Sequence, residues 1–136
     1  MVEVNNKTRT AINLTLIKKT VEEFLMIRKK KNYEVSIAFI GDEAMKKLNF
    51  KYRGKDKTTD VLSFEGEGYF LGEIIINYQQ IKRQAERYGN TSKKELIFIL
   101  VHGLLHLLGH QDNTEKKRLE MIKLGEEVIK KINKKA

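Results

Sequence analysis

Short stretches in which apolar and polar residues alternate predict the strands of this chain. Alternation over four to eight residues is typical of a strand with one buried face. The second stretch becomes wholly apolar towards its end, and a glycine-rich connection joins the last two. The predicted strands are residues 2–6, 33–40, 61–64 and 70–77.

Apolar residues spaced three or four positions apart predict helices between and after these strands. Asp42 is a plausible N-cap of the second helix, Gly89 ends the third, and Ser92 with Glu95 has the form of a capping box that opens the fourth. The predicted helices are residues 12–30, 43–50, 78–88, 92–109 and 114–131. We therefore expect one domain, residues 1–136, of the α+β class, with a small mixed sheet packed against helices.

The fourth predicted helix is apolar nearly all round, which places it in the centre of the fold. All three histidines of the chain lie in its second half or just beyond its end, at positions 102, 106 and 110. A buried imidazole without a partner costs about 1–3 kcal/mol, so these rings need hydrogen-bond or metal partners. The apolar run at residues 96–109 is too short to span a bilayer and suits a buried helix.

The spacing of the histidines predicts a metal site. His102 and His106 are four residues apart on one helix face, Gly109 lets the chain turn back, and Asp112 follows ten residues after the first histidine. This is a metzincin-like ligand frame with a carboxylate as the third ligand, and it leaves one coordination position open. His110 is an alternative third ligand. Asp112 is favoured because the turn has more room to bring its side chain round to the two histidines. The competing interpretation is two core histidines bonded to carbonyls, with Asp112 capping the next helix.

One residue argues against a peptidase. Metalloproteases with this ligand frame carry a glutamate directly after the first histidine, where it acts as the general base. Here that position is Gly103. Because no general base is visible in the sequence, attack by water and attack by a hydroxyl group of the substrate are both open routes.

Charge and composition narrow the class of partner. The 27 lysines and arginines outnumber the 18 acidic residues, giving a net charge of +9, which favours nucleic acid over other partners. A lysine- and glutamate-rich surface of a heat-adapted protein is the alternative. The absence of cysteine excludes disulfides and thiolate zinc sites. The first residues do not have the pattern of a secretory signal, so we expect a cytoplasmic protein.

Residues 51–60 are polar, lack periodicity and are dense in positive charge, which predicts a loop. Arg53 lies in it, and the planar guanidinium fork suits phosphate oxygens better than an ammonium group does. A lone loop arginine is more often simply solvated. Lys51, Lys55 and Lys57 are either solvated loop charges or attract a nucleic-acid backbone.

Five short motifs occur together and in order, and as a set they resemble the YbeY family of bacterial rRNA maturation factors. Members of that family are single-strand-specific, metal-dependent endoribonucleases. The motifs are Leu48-Asn49, Tyr52-Arg53-Gly54, Thr59-Asp60-Val61-Leu62-Ser63-Phe64, Leu71-Gly72-Glu73-Ile74 and His102-Gly103-x-Leu105-His106-Leu107-x-Gly109.

The resemblance implies a zincin-like α+β fold with one Zn²⁺ ion, and catalytic roles for Arg53, His102 and His106. It also implies single-stranded rRNA and the small ribosomal subunit as partners, in 16S rRNA 3′-end maturation and ribosome quality control. Asp112 departs from the family, whose third ligand is usually histidine, and this puts the identity of the metal in question. The alternatives are a non-catalytic RNA- or ribosome-binding module with a structural metal, and a metallopeptidase-like hydrolase.

Overall fold

A four-stranded mixed sheet forms the centre of the computed structural model, which describes residues 1–135. Its strands are β1 (Val2–Asn6), β2 (Glu34–Phe39), β3 (Val61–Glu65) and β4 (Phe70–Ile76). They lie in the order β1-β2-β4-β3, with β1, β2 and β4 parallel and β3 antiparallel to β4 at one edge. The four predicted strands are confirmed to within one residue at each end. Ala136, the last residue of the predicted 1–136 domain, lies outside the described residues.

Five helices surround the sheet within the described part of the chain, as the apolar spacing predicts. None of them is both long and apolar enough to cross a lipid bilayer. They are α1 (Leu14–Ile27), α2 (Asp42–Arg53), α3 (Tyr78–Arg87), α4 (Ser92–Leu107) and α5 (Glu115–Lys135). The α+β class is therefore confirmed.

The second helix is longer than the sequence pattern predicts. It runs to Arg53, so the expected loop begins three residues later than Lys51. Gly54 ends the helix in the left-handed conformation, with φ of 69°, which glycine adopts without a steric penalty. Tyr52 packs against Phe64 of β3 with ring centroids 5.0 Å apart, so tertiary packing stabilises the last turn.

Two predicted N-caps are displaced by one residue. Asp42 is the first residue of α2, and Gly41 is the N-cap residue without a side-chain bond. Thr91, not Ser92, caps α4, because its hydroxyl oxygen accepts a hydrogen bond from the backbone N–H of Lys94 at 3.1 Å. Both shifts leave the helices where the pattern predicts them.

Helix α4 is fixed by the main hydrophobic core. Its residues Leu100 and Leu104 have no exposed surface, and Ile74 on the facing side of β4 has none either. Burying one such side chain contributes about 1.5–3 kcal/mol. The opposite face of the sheet carries a smaller cluster that includes Met45 of α2 and Ile75 of β4. The sheet therefore lies between two apolar layers, which holds the end of α4 in a defined position.

Asp42 connects α2 to α3 and to the loop after α2. Arg83 donates two hydrogen bonds to its carboxylate, at 2.7 and 3.1 Å. The buried side chain of Asn77 donates to Asp42 at 2.7 Å and to the Thr58 hydroxyl at 2.9 Å. The hydrogen bonds from Arg83 are the main reason that the pKa of Asp42 lies below its ordinary value of 3.8.

Asp42→Asn is expected to lower the free energy of unfolding at neutral pH by about 0.5–1 kcal/mol, since the pair is partly exposed to solvent. Folding lowers the pKa of Asp42, so the ion pair contributes its full stabilisation at pH values above the pKa that Asp42 has in the unfolded chain. This stabilisation is lost as the pH falls through the lower pKa that Asp42 has in the folded protein. Urea unfolding of both proteins at several pH values should show the difference shrinking in acid. Asp56→Asn, at a carboxylate 75% exposed, is the control and should change little. A difference between Asp42→Asn and wild type that does not depend on pH would contradict this assignment.

Candidate metal centre

Three side chains converge at the end of α4. The Nε2 atoms of His102 and His106 are 3.2 Å apart, and Asp112 Oδ2 lies 3.2 Å from the first and 3.4 Å from the second. The two histidines are one helical turn apart on the same face. Gly109, with φ of 94°, then reverses the chain and brings the carboxylate back to the helix. The structure thus brings together the three residues that the spacing singles out.

The backbone around His110 orients one of these rings. The carbonyl oxygen of His110 lies 3.0 Å from His106 Nδ1, and a carbonyl can only accept a hydrogen bond. The neutral ring of His106 therefore carries its proton on Nδ1, and the lone pair on Nε2 points towards His102 and Asp112. The side chain of His110 is not one of the three that converge, so the geometry favours Asp112 over His110 as the third ligand.

The dimensions of this triangle fit a tetrahedral metal ion. Ligand atoms about 2.0–2.1 Å from a tetrahedral zinc ion lie about 3.3–3.4 Å from one another. The three distances of 3.2, 3.2 and 3.4 Å between the donor atoms are close to that separation. Two imidazole nitrogens and one carboxylate oxygen are also a donor set that zinc accepts. The three residues can therefore hold a divalent cation with little rearrangement.

Burial keeps His102 in the form that binds metal. Its side chain is 18% exposed, and this burial is the main reason that its pKa lies below the ordinary 6.5. The neighbouring His106 lowers the pKa further, while Asp112 acts in the opposite direction. A neutral imidazole at physiological pH offers its lone pair to a cation without first losing a proton.

The three residues line a cleft of about 630 Å³ between α4, β3 and the end of α2. Arg53, the last residue of α2, lines the same cleft. Among residues 1–135, no hydrogen bond or ion pair engages its guanidinium group, which is therefore available to a ligand. Sequence reasoning named Arg53 as a candidate catalytic residue but placed it in a loop, whereas it is the last residue of α2.

Comparison with known proteins gives a family. The model of the family described as Endoribonuclease YbeY matches residues 3–133. The chain belongs to the endoribonuclease YbeY family. The resemblance inferred from the five motifs is thereby confirmed.

Relatives named Endoribonuclease YbeY cover most of the chain. One from Halalkalibacterium halodurans is 37% identical, and the alignment covers 90% of this chain and 87% of the relative. One from Phytoplasma mali is 36% identical and covers 97% of this chain and 88% of its own length. A solution structure of a Thermotoga maritima protein superposes with a TM-score of 0.71 at 28% identity, covering 97% of this chain and 89% of that one.

Sequence reasoning left several polar residues of the cleft unassigned, among them Asp60, Ser63 and Arg118. The Asp60 carboxylate accepts hydrogen bonds from Gln84 Nε2 at 3.2 Å and from the Thr59 hydroxyl at 3.3 Å. Its place in the Thr-Asp-Val-Leu-Ser-Phe motif is the signal that could have found it. Arg118 has no such signal, because only the packing of α5 brings it to the cleft.

Gly103, where metalloproteases carry their glutamate, packs directly against the sheet. A Cβ atom built on it would lie 3.2 Å from Ile74 Cγ2 and 3.3 Å from the Ser63 hydroxyl oxygen. Ile74 is fully buried and has little room to move. In this YbeY-family chain, close packing of α4 on β3 and β4 therefore leaves little room for a glutamate at this position.

Gly103→Ala is expected to lower the free energy of unfolding by about 1 kcal/mol, because overpacking outweighs the higher helix propensity of alanine. Gly125→Ala is a matched control in α5, where a Cβ atom would find its nearest neighbour at 3.9 Å. That variant should instead gain up to about 1 kcal/mol. Chemical denaturation of the two variants measures both effects, and an equal gain in both would show that the space beside Gly103 is not limiting.

Proposed function

We propose that this chain is a metal-dependent endoribonuclease that cleaves single-stranded RNA in the cleft beside His102, His106 and Asp112. The convergence of these three donor atoms in the cleft that Arg53 also lines is the observation that carries the proposal. Family membership supports the reaction class, because an endoribonuclease is a hydrolase that breaks phosphodiester bonds within RNA.

His102, His106 and Asp112 would hold the cation, and zinc is the ion that best fits their donor set. When bound, it acts as a Lewis acid towards phosphoryl oxygen and water. The hydrogen bond to the His110 carbonyl holds the ring of His106 in place, as outer partners of metal ligands commonly do. Asp112 lowers the charge of the site by one unit relative to a third imidazole.

Two other residues in the cleft have chemistry suited to the reaction. Arg53 would hold the phosphate with its planar fork and stabilise the negative charge that develops on it. Asp60, whose carboxylate is positioned by Gln84 and Thr59, is a candidate to accept the proton of the attacking group. No glutamate next to the first histidine is needed in this arrangement.

The substrate and cellular role follow from the family resemblance and from the charge of the chain. A net charge of +9 favours an anionic polymer as the partner. We infer single-stranded rRNA on the small ribosomal subunit as the substrate, with a role in 16S rRNA 3′-end maturation in the cytoplasm. A non-catalytic RNA-binding module with a structural metal is the alternative that the same site and charge allow.

Incubation of the zinc-loaded protein with end-labelled single-stranded RNA and with the matching duplex tests the proposal. We expect cleavage of the single strand, loss of cleavage in chelator and recovery on adding zinc. Product ends identify the attacking group, since a 2′,3′-cyclic phosphate indicates the RNA 2′-hydroxyl, whereas a 3′-hydroxyl on one product and a 5′-phosphate on the other indicate water. Binding without cleavage at any zinc concentration would instead support the non-catalytic module.

A further inference from the structure

A second concave surface, outside the metal cleft, combines aromatic rings with positive charge. It is a pocket of about 340 Å³, and we call it the basic–aromatic patch. Five of the residues that line the pocket make up the patch: Lys29, Lys30, Lys31, Tyr33 and Tyr69. The two tyrosine rings are 5.2 Å apart and tilted by 58°, and Lys30 Nζ lies 4.8 Å from the centroid of the Tyr33 ring. Tyr69 is 68% exposed, so one ring face is accessible to a ligand.

The backbone of the patch is strained at one lysine. Lys29 has φ of 58°, and among residues 1–135 it is the one non-glycine residue with positive φ. It occupies the position after α1 at which glycine usually ends a helix, with Lys30 N–H bonded to the Leu25 carbonyl at 2.7 Å. A lysine is thus present where glycine would be less strained. Strain of this kind is common where a side chain has a function.

The β3–β4 connection links the patch to the metal cleft along the chain. Glu65 at the end of β3 lines the cleft, and Tyr69 follows four residues later in the patch. A Cβ atom built on Gly72 would lie 2.7 Å from Leu107 Cδ2, so the start of β4 lies against the end of α4.

We propose that the basic–aromatic patch binds a single-stranded segment of the RNA whose scissile phosphate lies in the metal cleft. One base stacks on the exposed face of Tyr69, and the lysines attract the neighbouring phosphates. Aromatic rings beside positive charges are the usual means by which proteins hold single-stranded nucleic acid without reading its sequence. The proposal rests on the proposed function, because it takes the ligand of the cleft to be RNA.

Fluorescence anisotropy with a labelled 2′-O-methyl oligouridylate tests the patch, with the intact length of the probe checked on a gel. The metal-loaded full chain is used throughout. Tyr69→Ala should weaken binding about 5- to 10-fold, the effect of losing one stacked base. Tyr88→Ala is the matched control, because Tyr88 is equally exposed at 68% and lies outside the patch. An equal loss in both variants, or none in either, would overturn the proposal.

The charged side of the patch is tested by salt dependence. Replacing the three lysines of the patch by glutamine should reduce the slope of log affinity against log salt by about 2, since each phosphate contact to a single strand contributes about 0.7. The control is the triple replacement of Lys130, Lys131 and Lys134, which carry the same charge. These control lysines lie near the end of α5: Lys130 is about 22 Å along the helix axis from Glu115, the first residue of α5, at 1.5 Å per residue. Equal slopes for the two triple variants would show that only the total charge matters.

Lys29→Gly separates function from folding. It should raise the thermal unfolding temperature by relieving the backbone strain, and it should weaken binding of the oligonucleotide. A variant that is more stable and binds as tightly as wild type would remove Lys29 from the patch.

Kinetics on long RNA distinguishes failure of this inference from failure of the proposed function. Tyr69→Ala should raise KM and leave kcat unchanged, because the ring is remote from the reacting phosphate. If the wild-type protein cleaves RNA but Tyr69→Ala matches it in KM and affinity, the patch proposal fails alone. If the wild type binds the oligonucleotide through the patch but cleaves no RNA, the endoribonuclease proposal fails while the patch remains.

Discussion

His106→Ala is expected to abolish retention of zinc and to lower the rate of RNA cleavage by about 10³-fold or more. The variant removes one of three donor atoms that lie 3.2–3.4 Å from one another. Two remaining donors cannot hold the cation in a fixed place, so both its charge and its position relative to the substrate are lost. Elemental analysis after gel filtration and single-turnover cleavage measure the two effects on one preparation.

His110→Ala is the matched control for this experiment. The group of His110 that contacts His106 is the backbone carbonyl, which alanine keeps. We expect the control to retain its zinc and to cleave RNA within about threefold of wild type, as for a side chain that touches no reacting group. Loss of zinc in His110→Ala would contradict the choice of Asp112 as the third ligand. Circular dichroism confirms that both variants are folded.

Arg53→Ala is expected to lower kcat by about 10²-fold and to leave the zinc content unchanged. The Arg53 side chain lines the cleft, and within residues 1–135 it has no partner in the fold, so its removal should not affect stability. A positioned donor that stabilises charge developing in the transition state contributes rate enhancements of this order.

Arg53→Lys tests whether geometry or charge matters. Lysine keeps the charge but not the planar fork, so we expect it to recover only part of the lost rate. Full recovery would assign a purely electrostatic role, and an unchanged kcat in Arg53→Ala would remove the residue from the reaction. Lys55→Ala, in the exposed loop beyond Gly54, should alter KM more than kcat because it acts only through long-range attraction.

The strands and helices could be predicted from the sequence because each has a clear apolar period. The failures lie where tertiary contacts decide. The last turn of α2 has no apolar period of its own, and the packing of Tyr52 on Phe64 extends it to Arg53. Thr91 and Ser92 are both favourable caps by residue type, and the backbone of the folded chain selects Thr91.

The candidate metal centre could be predicted because its residues are close in sequence. Eleven residues, 102–112, contain both histidines, the turn and the carboxylate, so the geometry of one helix and one turn relates them. Arg118 and Asp60 line the cleft from parts of the chain that are far apart in sequence, and no local sequence pattern predicts that they meet there. The reason for Gly103 is likewise invisible in the sequence, since it depends on Ile74 of a separate strand.

Zinc content and RNA cleavage, measured together on wild type, Asp112→Ala and Asp112→His, test the central claim most directly. We expect about one zinc ion per wild-type chain and none in the alanine variant, with cleavage following the bound metal across all three proteins. The histidine variant should keep its zinc, because imidazole is an equally good third ligand. An alanine variant that retains a full equivalent of zinc and cleaves RNA at the wild-type rate would show that the converging triad is not the reactive centre.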